Sequence, residues 1–203
     1  MDEYNTETIE TQPEDVSKKL RMDLYDWIQC FVAAFVCGIL IFVFIGRTIG
    51  VDGRSMDKTL KDTDRVIMRS LFYTPKNGDI IVFQSTNVDR FKNVPLVKRV
   101  IATEGQTIDI DFNTGDVFID GVIINEPYIH SMTTVKDGFA GPITVKEGHV
   151  FVMGDNRASS IDSRSKDVGE VDTRHILGKV LLILIPGESI NEPRDWSRFG
   201  IVK

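Results

Sequence analysis

Between residues 27 and 45 the chain is almost wholly apolar, with Gln29 the only strongly polar side chain. A helix rises about 1.5 Å per residue, so roughly 20 such residues cross a bilayer core of about 30 Å. Tyr25 and Trp27 at the leading end suit a membrane–water interface. A core helix would carry a polar face, and none breaks this run. A cleaved secretion signal would have a shorter apolar stretch closed by a small-x-small site. Ile45-Gly46-Arg47 offers no such site. The run reads as a transmembrane anchor over 23–47. Residues 1–22 are polar and acidic, with too few large apolar groups to fold, and read as a short disordered tail. Lys18, Lys19 and Arg21 precede the run, and Arg47, Arg54, Lys58 and Lys61 follow it. Flanking charge therefore does not orient the anchor, although long C-terminal domains translocate largely regardless of charge.

The chain has 203 residues, so roughly 150 remain for one folded domain with a real core, expected over 48–203. A net charge of -6 argues against a nucleic-acid partner. Both cysteines, Cys30 and Cys37, lie in the apolar run, leaving the folded part without disulfides. The three histidines are far apart and form no Cys/His cluster, so neither metal nor cofactor is expected.

Beyond residue 49 the pattern changes to short runs rich in Ile, Val and Phe between Gly, Asp and Asn. DRVIM, DIIVF, LVKRVIA, QTIDIDF, GDVFIDG, VIIN, GPITV, HVFVM and KVLLILI all read as strands. Asp120-Gly121 between two of them predicts a type I′ hairpin turn. A short helix is expected only near 173–177. Leu71-Phe72-Tyr73 reads as core packing, with contact to a lipid surface as the alternative. The fold class is mainly antiparallel β.

Three local features carry chemistry. Ser55 lies in a Gly-Arg-Ser-Met turn, a setting that exposes a hydroxyl, but serine needs a base to become a nucleophile. Lys98 sits inside an apolar strand, where alternation places Leu96, Lys98 and Val100 on one face and Val97, Arg99 and Ile101 on the other. Desolvation lowers a lysine's pKa, and the neutral amine is then a usable base. Residues 154–164 form a turn dense in hydroxyls, carboxylates and arginine, in which Asp and Arg can pair and Ser160 could direct a lysine amine. Each feature alone has a bland reading: a capping serine, a lysine reaching solvent, a solvated loop.

Taken in order, the strings VDGRSMDKTL (51–60), NGDIIVF (77–83), LVKRVIATEGQ (96–106) and FVMGDNRASSIDSR (151–164) resemble the boxes of type I signal peptidases, the membrane-bound Ser/Lys proteases of bacteria. DVFIDGVIINEPYI (116–129) resembles the middle of Gram-positive members, and the likeness runs over about 32–186. It implies a partly closed antiparallel β-barrel behind one helix, with the catalytic domain outside the cell membrane. By position, Ser55 would be the nucleophile and Lys98 the general base. Ser160 would orient the lysine, and Asp162 and Arg164 would form a supporting ion pair. The Ser55 N–H would be one oxyanion donor. Gly53 stands where some members use a serine hydroxyl as the second. Ile49, Val51, Met56, Leu60, Val82 and Val97 would line shallow pockets. Asp57-Lys58 departs from the family, which commonly has a variable residue followed by proline; without that proline the turn is looser, or is held by Asp57 through a local hydrogen bond.

The resemblance implies cleavage of exported preproteins after small residues, with signal peptides and membrane lipid as partners. Two other readings are a self-cleaving repressor with the same Ser/Lys core and a non-catalytic pilus-assembly relative. The apolar run and acidic charge oppose the first; retention of both Ser55 and Lys98 opposes the second.

Overall fold

Helix α1 spans Pro13–Ile45 and holds the long apolar run. A proline suits a helix start, where its missing N–H has no intrahelical partner to lose. In this computed structural model the described residues are 13–85, 94–188 and 193–202. The first part of the expected disordered tail, 1–12, lies outside them, whereas helix already runs from Pro13. The stretch Arg21–Leu40 has a mean hydropathy of 1.5 and is long and apolar enough to cross a membrane. Its Phe31, Phe35, Ile39 and Leu40 side chains are exposed rather than packed.

The chain divides into two compact units, Met1–Val43 and Phe44–Lys203. The second is mainly β, as expected, and every strand pair in it is antiparallel. Its strands are β1 (Arg47–Gly50), β2 (Arg65–Arg69), β3 (Ile80–Gln84), β4 (Pro95–Thr103), β5 (Thr107–Asp111), β6 (Asp116–Ile119), β7 (Val122–Ile123), β8 (Ile143–Thr144), β9 (His149–Met153), β10 (Val171–Asp172), β11 (Ile176–Ile185) and β12 (Gly200–Ile201). Eight form one sheet in the order β1-β2-β11-β3-β4-β9-β10, with β12 added to β11. The other four form a smaller sheet, β7-β6-β5-β8.

Side-chain alternation explains how one sheet serves several cores. On β3, Ile80 and Val82 enter one apolar cluster with Val51, Met56 and Leu60, while Ile81 and Phe83 enter another with Val100 and Val152. A strand buried on both faces needs no polar alternation, which is why IIVF is continuous. On β9, Val150 and Val152 join the second cluster, and Phe151 and Met153 turn to the core of the smaller sheet. A register shift between Val100 and Ala102 redirects β4, so that Ile101 and Ala102 join that core together.

Local expectations fared unequally. Ile119 pairs with Val122 across a two-residue turn in which Asp120 and Gly121 have φ of 52° and 78°. Both values are positive, as a type I′ turn requires. The short helix shrinks to a 3-10 turn at Thr173–His175, capped by Asp172, because the apolar run after it is already strand at Ile176. Leu71 and Phe72 are not core: Phe72 is 91% exposed, and only Tyr73 packs inward, donating its hydroxyl to Asp79 Oδ2 at 2.8 Å. Strands β1, β10 and β12 escaped the sequence reading, being short and without a clear apolar period.

Candidate active site

Ser55 sits on a loop that connects β1 to β2 and closes on itself. Val51 N donates to Asp64 O at 2.8 Å and Thr63 N to Val51 O at 2.9 Å. Gly53 has a φ of 91°, a left-handed conformation costly for residues with a Cβ, and donates its N–H to Asp62 Oδ1 at 2.8 Å. That N–H is thus engaged, and glycine has no hydroxyl to offer. The Ser55 N–H donates to no partner among the described residues.

Lys98 comes from β4, in register with Ile81 on β3. The expected alternation holds, since Leu96 and Val100 pack in one cluster and Val97 in another. Lys98 is only 3% exposed. Its Nζ and Ser55 Oγ are hydrogen-bonded at 2.8 Å, and Nζ also donates to Val97 O at 3.0 Å. No carboxylate lies within ion-pair distance of it among the described residues. Burial pulls the amine's pKa down to about 8, against the upward pull of Asp162 and Asp155.

Residues 154–164 return from β9 to brace both groups. Asn156 donates its N–H to Ser55 O at 3.0 Å and its side-chain amide to Arg54 O at 3.1 Å, so one residue grips two successive carbonyls at Ser55. A Cβ on Gly154 would lie 2.5 Å from Ser55 O and would collide with Ser160 as well, so the loop approaches as only glycine allows. Asp162 and Arg164 pair through Nε–Oδ1 and Nη2–Oδ2, both at 2.9 Å, and both side chains are fully buried. Asp162 also accepts the Gly154 N–H at 3.0 Å. Ser160 is buried beside Gly154, but its hydroxyl has no partner among the described residues; Val97 O, not Ser160, directs the amine in this structure.

Two further ion pairs and Asn156 went unassigned in the sequence. Arg99, beside Lys98 and equally buried, meets Asp155 with two bonds, Nε–Oδ1 at 2.8 Å and Nη2–Oδ2 at 2.7 Å. Asp155 also accepts the Thr59 hydroxyl at 2.6 Å. Arg157 pairs with Glu126 and donates Nε to Gly154 O at 3.1 Å. An arginine within an apolar strand signals a carboxylate partner, because such charge is rarely buried alone. Which acid answers it is a tertiary fact.

All six expected pocket residues share one apolar cluster. Val51, Met56, Leu60 and Val82 are among its buried members, and Ile49 and Val97 are among the partly exposed ones. Lys58, in place of the proline common in the family, takes a φ of 87°, far from the roughly −65° that a proline ring imposes. Its N–H donates to Asp57 Oδ1 at 2.8 Å, the local bond anticipated for Asp57. Among the described residues no group of His, Cys, Asp and Glu is placed to hold a metal ion.

Residues 24–185 match the family model described as signal peptidase, peptidase S26. A signal peptidase I of Bacillus licheniformis is 32% identical over 189 residues, covering 88% of this chain and 98% of that protein. Signal peptidase I S of Bacillus subtilis is 33% identical over 184 residues, covering 85% and 94%. A solved signal peptidase I from Enterococcus faecalis is 28% identical, with a TM-score of 0.42, over 53% of this chain and 97% of that one. The family match spans both the Ser55 loop and the buried Lys98, and this chain belongs to the signal peptidase family, peptidase S26.

Proposed function

We propose that this chain is a membrane-anchored signal peptidase I in which Lys98 is the general base for Ser55. Family membership makes it a serine endopeptidase that processes signal peptides. The finer assignment rests on one observation: a lysine amine, 3% exposed, hydrogen-bonded at 2.8 Å to a serine hydroxyl.

With a pKa of about 8, roughly a tenth of the amine is neutral at pH 7. A neutral amine has two N–H groups and one lone pair. Donation to Val97 O occupies one N–H and helps to turn the lone pair toward Ser55 Oγ. Lys98 takes the Ser55 proton as Oγ attacks the scissile carbonyl. The oxyanion is received by the uncommitted Ser55 N–H, worth about 2.7–4 kcal/mol if it behaves like other such donors. The lysinium then protonates the leaving amine, and Lys98 activates the water that releases the acyl group. The amine's second N–H is given to neither Val97 O nor the leaving group, and we assign the unpartnered Ser160 hydroxyl as its acceptor. Asp162 and Arg164 hold the turn that presents it.

The substrate is an extended signal peptide cut after small residues. Of the unpaired strand edges among the described residues, two belong to the strands of Ile49 and Lys98 and could receive it: the outer edge of β1, and the 95–98 half of β4, which β9 does not reach. A peptide added there gains main-chain bonds while side chains enter shallow pockets. Ile49 and Val97 would form the walls, with Val51, Met56, Leu60 and Val82 behind them, so large side chains clash. In this reading residues 1–22 are cytoplasmic, 23–47 anchor the chain, and 48–203 work at the outer lipid surface, with no nucleic-acid partner and no cofactor.

The test uses full-length protein in detergent and a model precursor, with the product's new N-terminus identified. We expect one cut after a small residue. Ser55→Ala and Lys98→Ala should each slow it by about a thousandfold or more while leaving the circular dichroism spectrum unchanged. Wild-type turnover in either variant would falsify the dyad.

A further inference from the structure

The four strings that carry the chemistry do not include residues 126–130, part of the connection from β7 to β8 that extends from the smaller sheet. Yet this short segment touches three elements of the site. The Glu126 carboxylate accepts both terminal nitrogens of Arg157 and, at 2.9 Å, the Tyr128 hydroxyl. Pro127 O accepts Lys58 Nζ at 3.3 Å, from the nucleophile loop. The Tyr128 ring lies 3.9 Å from the Arg99 guanidinium carbon, on the strand of Lys98. His130 donates its N–H to Asp155 O at 2.8 Å.

We infer that residues 126–130 are a positioning strap for the dyad, with Tyr128 acting on Ser55 through Arg99 and Asp155. Arg99 and Arg157 both fix the start of the turn over 154–157: Arg99 grips the Asp155 carboxylate, and Arg157, itself in the turn, grips Gly154 O. In the same turn, Asn156 clamps the carbonyls of Arg54 and Ser55, and Asp155 receives the Thr59 hydroxyl from the nucleophile loop. A shift of either arginine is therefore passed to Ser55. The strap limits that shift for both at once, one by a carboxylate and the other by an aromatic face. A guanidinium over a desolvated ring is attracted by the ring's quadrupole, and this face excludes water where Asp155 does not cover Arg99. Burial, and after it the charge and hydrogen bond of Glu126, push the Tyr128 phenol above its ordinary range, so its hydroxyl remains a donor. The smaller sheet, which supplies no residue of the dyad, thereby gains a role in catalysis.

This inference rests on the proposed Ser/Lys reading. The test replaces Tyr128 with Phe, then with Phe bearing one, two and three ring fluorines, in the full-length protein. Fluorination drains the ring's negative face with little change of shape, so the fold is retained. From Phe to trifluoro-Phe we expect kcat on the model precursor to fall in steps, by about fivefold to tenfold in all. KM should stay within about twofold. Glu126→Gln, which loosens Arg157 instead, should also lower kcat by several-fold without raising KM. A flat kcat across the fluorinated series, or a change carried by KM or by thermal stability alone, overturns the strap. If the wild type fails to cut, or Ser55→Ala cuts as well as wild type, the Ser/Lys reading fails and the strap falls with it. A Ser55-dependent enzyme with a flat series loses only the strap.

Discussion

Lys98 and the polar turn over 154–164 bury charged groups to similar depth with different partners. Among the described residues, the three buried arginines, Arg99, Arg157 and Arg164, each face a carboxylate edge on, and Asp162 has two backbone N–H groups as well. Bidentate geometry and extra hydrogen bonds are what a buried pair needs to offset desolvation. Lys98 has only a hydroxyl and a carbonyl. Asp162 and Asp155 attract its proton from outside contact range, and burial outweighs them. With no direct carboxylate contact, burial keeps the lysine's pKa low, as the proposed base requires, while the neighbouring arginine is held in its ion pair.

The comparison breaks most clearly at Lys98 itself. Lys98→Met should slow precursor cleavage by about a thousandfold or more and yet stabilise the domain. The folded-state pKa lies below the unfolded lysine value of about 10.4. Burying the protonated amine thus costs about 3 kcal/mol below pH 8, and the cost fades between pH 8 and about 10.5. Denaturant melts of both proteins at pH 6.5 and 10.5 check this: the gain should be present at the first and largely gone at the second.

Removing a carboxylate on the other side should have the opposite effect on stability. Asp162→Asn leaves Arg164 buried without its counter-charge and should destabilise by about 3–5 kcal/mol in the same melts. It should also lower the Lys98 pKa further, since Asp162 is the larger of the two charges raising it. The pH profile is a smaller, continuous test. Wild-type kcat/KM should climb about tenfold per pH unit below 8 and level off above it. A profile flat from pH 6 to 9 would remove the lysine as base. The smallest effect is expected far from the charges. Gly121→Ala, at a φ of 78° with open space around it, should cost about 1 kcal/mol from the backbone alone and leave kcat unchanged.

Much of the candidate site was legible because four strings occur in order, although each feature alone has a bland reading. Lys98 interrupts an apolar strand, and Ser55 lies in a Gly-Arg-Ser-Met turn that exposes a hydroxyl. The Asp120-Gly121 turn could be read because its φ requirement is local. The role of Asn156 was not legible: a polar residue in a polar turn looks solvated until its partners, 101 and 102 positions away, are known. Phe72 misled because hydrophobicity alone does not tell a core aromatic from one exposed at a turn.

The order of apolar and polar residues determined the long apolar helix and the antiparallel β class, since these depend on periodicity, and four short strings carried the resemblance to the family. Tertiary structure decided which acid meets which arginine, that Val97 O rather than Ser160 directs the amine, and that the smaller sheet reaches the site. Those outcomes depend on a few ångströms between residues far apart in the chain, and at that range desolvation and hydrogen-bond geometry, not sequence pattern, determine whether a buried charge is kept or given up.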